Sequence, residues 1–140
     1  MPKSIKKYID SDWSWRAPSP FAQAVEFGDQ IFVSGQQALN AEGELVAPRD
    51  IASQTRCVFE NMKSTLERAG LKFSDLVRLN TYYVFDGADE DATRFWEEMT
   101  RVRLEYFPDP GPAATAVRIK GMPYQGQLIQ IEGIALRGSL

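Results

Sequence analysis

The sequence predicts an α+β domain with the element order β-β-α-β-α-β-β. Three observations predict this fold: two segments with helical spacing of apolar residues, five short segments suited to strands, and turn residues between them. Each predicted helix has one apolar face, so both helices can pack on the same side of a single sheet. The 140 residues are enough for one domain with a core and too few for two. We therefore expect one domain over residues 1–140.

The first two strands form a predicted hairpin. One strand is expected over residues 21–27, the pair Gly28-Asp29 suits a tight hairpin turn, and the second strand starts at Ile31. Residues 1–17 have no clear period and are expected to be an irregular N-terminal arm. Its Trp13 and Trp15 either anchor this arm or cover a binding cleft.

The first helix begins after a good N-cap residue, Asp50, and ends before Gly70, a residue type favoured just beyond a helix. Its apolar face consists of Ile51, Val58, Phe59, Met62, Leu66 and Ala69. Because these residues recur at helical spacing, this face is expected to pack on the sheet.

A strand over residues 76–85 precedes the second helix, which is expected over residues 89–107. Three acidic residues occupy its first turn, where the helix dipole favours negative charge, and Pro108 and Pro110 are expected to stop it. Its predicted buried stripe is Ala92, Phe95, Trp96, Met99, Val102 and Tyr106. The last two strands are expected over 113–119 and 128–136. The sheet face without helices has no cover in a single chain, so self-association is expected.

Composition excludes several kinds of site. The chain has no histidine, which excludes histidine-based zinc sites and Ser-His-Asp triads. The one cysteine, Cys57, cannot form an internal disulfide and is expected to be a small packing residue. The net charge of −3 gives no electrostatic reason to bind nucleic acid or an anionic membrane. No apolar run approaches the ~20 residues of a membrane span, and the N-terminus lacks the apolar region of a signal peptide. We expect a cytoplasmic protein without a metal or another cofactor.

Two segments near the C-terminus carry a family resemblance. Residues 111–117 read Gly-Pro-Ala-Ala-Thr-Ala-Val, and residues 131–135 read Ile-Glu-Gly-Ile-Ala. Three further landmarks lie in the same order as in the family: Ser-Pro-Phe-Ala-Gln-Ala-Val at 19–25, Ile-Phe-Val-Ser-Gly-Gln at 31–36, and Gln-Thr-Arg at 54–56 with Glu-Asn-Met-Lys at 60–63. Over roughly residues 18 to 137 the chain resembles the RidA/YjgF family of small trimeric enamine/imine deaminases.

The resemblance implies a chorismate-mutase-like fold: one mixed sheet with two helices on one face. It also implies a homotrimer with a small-metabolite cleft between neighbouring subunits. In active members of the family an Arg pairs with the substrate carboxylate and a Glu positions the hydrolytic water. Here the Glu is Glu132, while Ala114 stands at the Arg position of the usual Pro-Ala-Arg-Ser pattern.

The resemblance assigns the remaining cleft positions as follows. Ser34 and Gly35 match the Ser-Gly turn, and Phe21 stands where a Tyr is usual. Thr115 keeps a hydroxyl beside the vacant Arg position, and Ala116 stands where some members have a reactive cysteine. Glu132 and Gly35 also have structural explanations, as a hydrogen-bonded buried acid and as a residue with a positive φ.

Another cation could replace the missing Arg. Arg118 lies four residues beyond Ala114, so both side chains point to the same face of the strand, about 13 Å apart. Arg118 could hold an anion further out, or it could be solvated or paired at an interface. Arg103 and Arg94 on the second helix are further candidates.

Two functional hypotheses follow. The first is a hydrolytic deaminase of a small enamine, an imine or a related C–N bond, with Glu132 orienting water and a substrate range different from that of Arg-containing members. The second is a non-catalytic trimer that binds or senses a small metabolite. Nucleic-acid cleavage fits an acidic chain without a basic-aromatic surface poorly.

Overall fold

A computed structural model describes residues 6–10, 21–107 and 109–138. Two helices pack on one face of a six-stranded mixed sheet, which confirms the predicted fold class. The elements are β1 Lys7–Ile9, β2 Ala24–Phe27, β3 Gln30–Gln37, α1 Ile51–Arg68, a 3-10 turn Phe73–Asp75, β4 Leu76–Val84, α2 Asp89–Arg103, β5 Ala113–Ile119 and β6 Ile129–Leu136.

The strand order across the sheet is β1-β2-β3-β6-β4-β5. Among the described strands, only β4 and β5 pair in parallel, and α2 provides the crossover that a parallel pair requires. All other neighbouring strands are antiparallel. This order puts β6 in the middle of the sheet and β5 at its edge.

The N-terminal arm differs from the prediction. Lys7–Ile9 is not irregular but forms β1, which pairs with residues 24–26 of β2. A segment of three residues is too short for an alternating pattern to predict a strand. Its strand conformation is recognised only from the pairing with β2. Trp13 and Trp15 lie outside the described residues.

Helix α1 has the predicted ends. The Asp50 side chain accepts a hydrogen bond from the backbone N–H of Ser53, and Gly70 adopts a φ of +75°. The predicted apolar face is buried and forms the core with the inner residues of β3, β4 and β6. Local capping signals therefore determine where this helix lies along the chain.

Helix α2 is shorter than predicted and ends at Arg103. Beyond it the chain turns, and Phe107 is buried with its ring centroid 5.6 Å from that of Phe59 and 5.0 Å from that of Phe73. Phe107 therefore belongs to an aromatic cluster with Phe59 and Phe73 and not to the helix. Pro108, one of the two prolines predicted to stop the helix, lies outside the described residues. The predicted stripe was only partly correct, since Met99 and Val102 are buried but Trp96 is 41% exposed.

The sheet face opposite the helices carries exposed apolar side chains. They include Phe32, which is 43% exposed, together with Phe27, Val117 and Leu136. In the part of the chain that the structure describes, neither helix is long and apolar enough to cross a membrane.

Candidate functional site

Glu132 lies opposite a β-bulge. Val33 pairs with Gly133 and Gln36 pairs with Ile131, so two residues of β3, Ser34 and Gly35, face the single residue Glu132 of β6. Bulges re-aim side chains and are frequent beside active sites. The structure thus brings together three of the residues that the sequence indicated as site residues.

Two side chains of β4 hold the Glu132 carboxylate. The Tyr82 hydroxyl donates to Oε1 at 2.8 Å, and Nδ2 of Asn80 lies 3.4 Å from the same oxygen. The hydrogen bond to Glu132 raises the pKa of Tyr82, because deprotonation would put a second negative charge beside the carboxylate. Both bonds reach Oε1, which leaves Oε2 without a partner among the described residues.

The row of polar side chains around Glu132 continues across the same sheet face to β5. Asn80 pairs with Glu132 on one side and with Thr115 on the other. The Thr115 hydroxyl accepts a hydrogen bond from Arg78 at 2.6 Å. The side-chain oxygen of Asn80, Oδ1, is buried and has no hydrogen-bond partner among the described residues. Such an orphaned acceptor beside a carboxylate is suited to accept a hydrogen bond from a ligand or from water.

Gly35 permits a close approach of the Gln130 side chain. A Cβ at this position would collide with the side-chain amide of Gln130, which lies over the Gly35 backbone. Gly35 does not have a positive φ, so the alternative structural explanation offered for it was wrong. Beside it, the Ser34 hydroxyl donates to the backbone oxygen of Ala22 at 2.6 Å. Phe21, at the start of the described segment, is exposed.

Ala114 and Ala116 face the other side of the sheet. The pairing of Ala114 with Leu79, a core residue, puts it on the helix-covered face. There the two alanines line a cavity of about 130 Å³ between β5 and α2, with Trp96, Met99, Thr100 and Arg103 on the helix side. Because β5 is exposed, the cavity opens to solvent along this strand. Glu132 does not line it.

Arg118 is bonded elsewhere. Its guanidinium donates to the backbone oxygen of Phe85 at 2.7 Å and forms an ion pair with Asp89 at 3.0 Å, in the first turn of α2. Arg118 and Arg94 do not line the cavity beside Ala114, whereas Arg103 does. Arg103 is therefore the one of the three candidate cations that adjoins the position where the resemblance expects an Arg.

Sequence reasoning missed the polar face of β4. Arg78, Asn80 and Tyr82 alternate along the strand and share the face that carries Glu132. This period-two pattern was visible in the sequence, but the β-branched and aromatic content of the segment masked it. Within the described residues there is no group of three or more acidic, cysteine or histidine side chains that could hold a metal ion.

Comparison with known proteins gives a consistent result. Residues 14–137 match the family model described as endoribonuclease L-PSP. A RutC family protein of Pyrococcus abyssi is 33% identical over 94% of this chain and 98% of its own length. A protein of Dermatophagoides farinae named 2-iminobutanoate/2-iminopropanoate deaminase is 28% identical over 95% of this chain and 98% of its own.

Solved structures agree with the sequence matches. A crystal structure from Thermotoga maritima superposes with a TM-score of 0.82 at 31% identity, covering 96% of this chain and all of the other. The family match spans most of the chain, and the structural match confirms the fold. The chain therefore belongs to the endoribonuclease L-PSP family, the group of RutC and RidA proteins that its C-terminal motifs resemble.

Proposed function

We propose that this protein is a hydrolytic deaminase acting on a small enamine, an imine or a related C–N bond of a metabolite. The observation that carries the proposal is the position of Glu132, opposite the Ser34-Gly35 bulge and bonded through one carboxylate oxygen to Tyr82 and Asn80. A relative that shares 28% identity is named as such a deaminase. The two compounds in its name, 2-iminobutanoate and 2-iminopropanoate, are short 2-imino acids.

The proposed chemistry uses the unpartnered oxygen of Glu132. Oε2 accepts a hydrogen bond from a water molecule and takes its proton as the water oxygen attacks the C=N carbon. The proton then passes to the nitrogen, which gives a carbinolamine. Glu132 next takes the proton of the carbinolamine hydroxyl and delivers it to the nitrogen as the C–N bond breaks, so the products are a carbonyl compound and ammonia. General base catalysis by one positioned carboxylate contributes about 10²–10⁴-fold, which suits the hydrolysis of a reactive imine.

The proposed site is completed by a second copy of the chain. Glu132 and Ala114 lie on opposite faces of one sheet, so a ligand in the cavity beside Ala114 does not reach Glu132 through the sheet. The apolar side chains exposed on the Glu132 face need a covering layer. The resemblance supplies the arrangement: a homotrimer with one cleft at each subunit boundary. Light scattering at micromolar concentration tests it, and a stable monomer would contradict it.

The substrate range is proposed to differ from that of Arg-containing members. Ala114 offers only a methyl group where the resemblance expects a guanidinium, and a bidentate Arg–carboxylate pair contributes both affinity and orientation. We expect slower release of keto acid from 2-iminobutanoate than the Dermatophagoides farinae relative gives under the same conditions. An equal rate would show that another group fully replaces the Arg.

Glu132→Gln tests the proposed activity. The change keeps the shape of the side chain and removes its charge, so turnover should fall by roughly 10²-fold or more with little change in ligand affinity. The matched control is Glu98→Gln, an exposed residue of α2 that has no role in the site. Keto-acid release from an imine generated in the assay is the measurement.

The same experiment distinguishes the deaminase from the second hypothesis, a non-catalytic trimer that binds a small metabolite. If the native protein releases no keto acid from any imine tested, while a ligand still binds and Glu132→Gln alters only affinity, the binder hypothesis replaces the deaminase.

A further inference from the structure

A second cavity lies near the end of β5 that is far from Ala114. It has a volume of about 480 Å³, and its lining comes from the loop before α1, the end of β4 with α2, and the connection between β5 and β6. Small-molecule sites typically have volumes of about 300–1,000 Å³. No described residue lines both this cavity and the one beside Ala114. Lys120, in its lining, is six residues beyond Ala114, about 20 Å along an extended strand, so the two cavities are separate.

Part of the lining is aromatic. Phe85, directly after β4, and Phe95, on α2, both line the cavity, and their ring centroids are 4.9 Å apart. Met122, in the connection between β5 and β6, lines it as well, and all three side chains are half-buried. Aromatic rings attract one another at such distances, and a thioether sulfur also makes favourable contacts with rings. This part of the cavity therefore favours a ligand with an aromatic ring.

Two cations line the same cavity. Arg49 and Lys120 come from different loops, both are exposed, and neither has an ion-pair partner among the described residues. One carboxylate, Asp86, also lines the cavity, so the cations outnumber it. Cations that converge on one cavity from two loops favour a ligand with a doubly charged anionic group.

The backbone that carries Arg49 is strained. Its φ is +65°, and Ala47, two residues earlier, has a φ of +46°. For a residue with a Cβ this left-handed region costs roughly 1–2 kcal/mol, and such conformations cluster at active sites and at segments that clamp ligands. Tight contact with the connection between β5 and β6 holds the strained loop: the Arg49 N–H donates to the Gly126 backbone oxygen at 2.9 Å, and a Cβ on Gly126 would lie 2.9 Å from that of Pro48. Two of the segments that line the cavity are thus fixed relative to each other.

Self-association through the sheet would leave this cavity accessible. The exposed apolar side chains that need a covering layer lie on the sheet face opposite the helices. Phe95 belongs to α2, and Phe85 packs against Phe95. This part of the lining is therefore on the helix side of the sheet, which a partner on the opposite face does not cover.

We propose that this cavity binds a small aromatic phosphate monoester. The aromatic ring packs against Phe85 and Phe95, and Arg49 and Lys120 hold the phosphate, which carries a charge of about −1.5 to −2 at pH 7. Arginine can donate two parallel hydrogen bonds to phosphate oxygens, and lysine acts as a point charge. The site is separate from the Glu132 site, and binding to it requires no hydrolysis of an imine.

The experiment measures binding of phenyl phosphate to the full chain by isothermal titration calorimetry. Phenol is the probe with the ring alone, and inorganic phosphate is the probe with the charge alone. Phenyl phosphate should bind at least about tenfold more tightly than either, because each fragment makes only one of the two sets of contacts. Inorganic phosphate that binds as tightly as phenyl phosphate would overturn the proposal.

Substitutions in the lining test the two cations. Arg49→Met should reduce phenyl phosphate affinity by roughly tenfold, and Lys120→Met should reduce it by about threefold, because an exposed lysine contributes less. Lys72→Met is the control, since Lys72 is exposed and does not line the cavity. Asp86→Asn removes a repulsive charge and should raise the affinity by about twofold. Affinity that survives both cation variants, or that falls in Asp86→Asn, would contradict the assigned charges.

Two further variants guard against a folding defect. Arg49→Lys keeps the charge and should retain part of the affinity that Arg49→Met loses. Phe95→Leu should weaken phenyl phosphate by about threefold or more and leave inorganic phosphate unchanged, because only the ring contact is lost. Loss of binding in Arg103→Met instead would place the ligand in the cavity beside Ala114 and would also overturn the proposal.

Discussion

The side chain of Gln54, on helix α1, is hydrogen-bonded to the backbone of two loops, one before α1 and one before β6. Its side chain is fully buried. Nε2 donates to the backbone oxygens of Ala47 at 3.0 Å and Gly126 at 2.8 Å, and Oε1 accepts from the backbone N–H of Leu128 at 2.8 Å. Leu128 directly precedes β6, the strand that carries Glu132. The Gln-Thr-Arg landmark of the sequence thus contains a residue that holds the fold together.

Replacing Gln54 by Met keeps the length of the side chain and removes all three hydrogen bonds. The Leu128 N–H is then buried without a partner, which costs about 1–3 kcal/mol. The two carbonyls each keep another donor, Asp50 N–H for Ala47 and Arg49 N–H for Gly126, so each lost bond costs only about 0.5–1.5 kcal/mol. The expected loss in the free energy of unfolding is therefore about 4 kcal/mol, in a range of about 2 to 6 kcal/mol.

Chemical denaturation at one fixed protein concentration measures this loss, because association makes apparent stability depend on concentration. Thermal unfolding should show a midpoint lower by about 10 °C. Gln125→Met is the control, since Gln125 lies on the same loop as Gly126 and is exposed. A loss below about 1 kcal/mol in Gln54→Met would refute the reasoning.

Three further outcomes follow from the structure. Gly35→Ala should destabilise the protein by no more than about 1 kcal/mol in chemical denaturation, because the new methyl group displaces only the flexible side chain of Gln130, whereas Gly121→Ala, with open space around it, should cost less still. Burial and the neighbouring Glu60 carboxylate raise the pKa of Tyr106 to about 12, from the ordinary tyrosine value of about 10. As the pH rises, the unfolded state therefore loses the Tyr106 proton before the folded state does. The contribution of Tyr106 to the free energy of unfolding should be fully present below about pH 10 and should fall as the pH rises further. Tyr106→Phe should reduce that fall. Burial also raises the pKa of Cys57, so iodoacetamide should alkylate it more slowly at pH 8 than a cysteine in an unstructured peptide, and equal rates would contradict its placement.

Some of the candidate site was predictable from sequence because it depends on local patterns. Glu132 interrupts an apolar strand, and a carboxylate at such a position must be hydrogen-bonded or face a cleft. The Ser34-Gly35 pair was indicated by resemblance alone. That these residues are neighbours follows from the β3–β6 register and its bulge, which no local pattern encodes.

The order of the main elements and both ends of α1 were predictable from local patterns, because Asp50 and Gly70 act through backbone groups within one turn of the helix. Tertiary structure decided the rest. Strand β1 is recognisable only through its pairing with β2, and Phe107, predicted to be the last residue of α2, instead packs beyond its end against the rings of Phe59 and Phe73. The positions of the arginines also depend on tertiary structure. Arg103 adjoins the cavity beside Ala114, whereas Arg118 is paired with Asp89. These positions follow from how α2 packs on the sheet, a contact between residues that are distant in the chain.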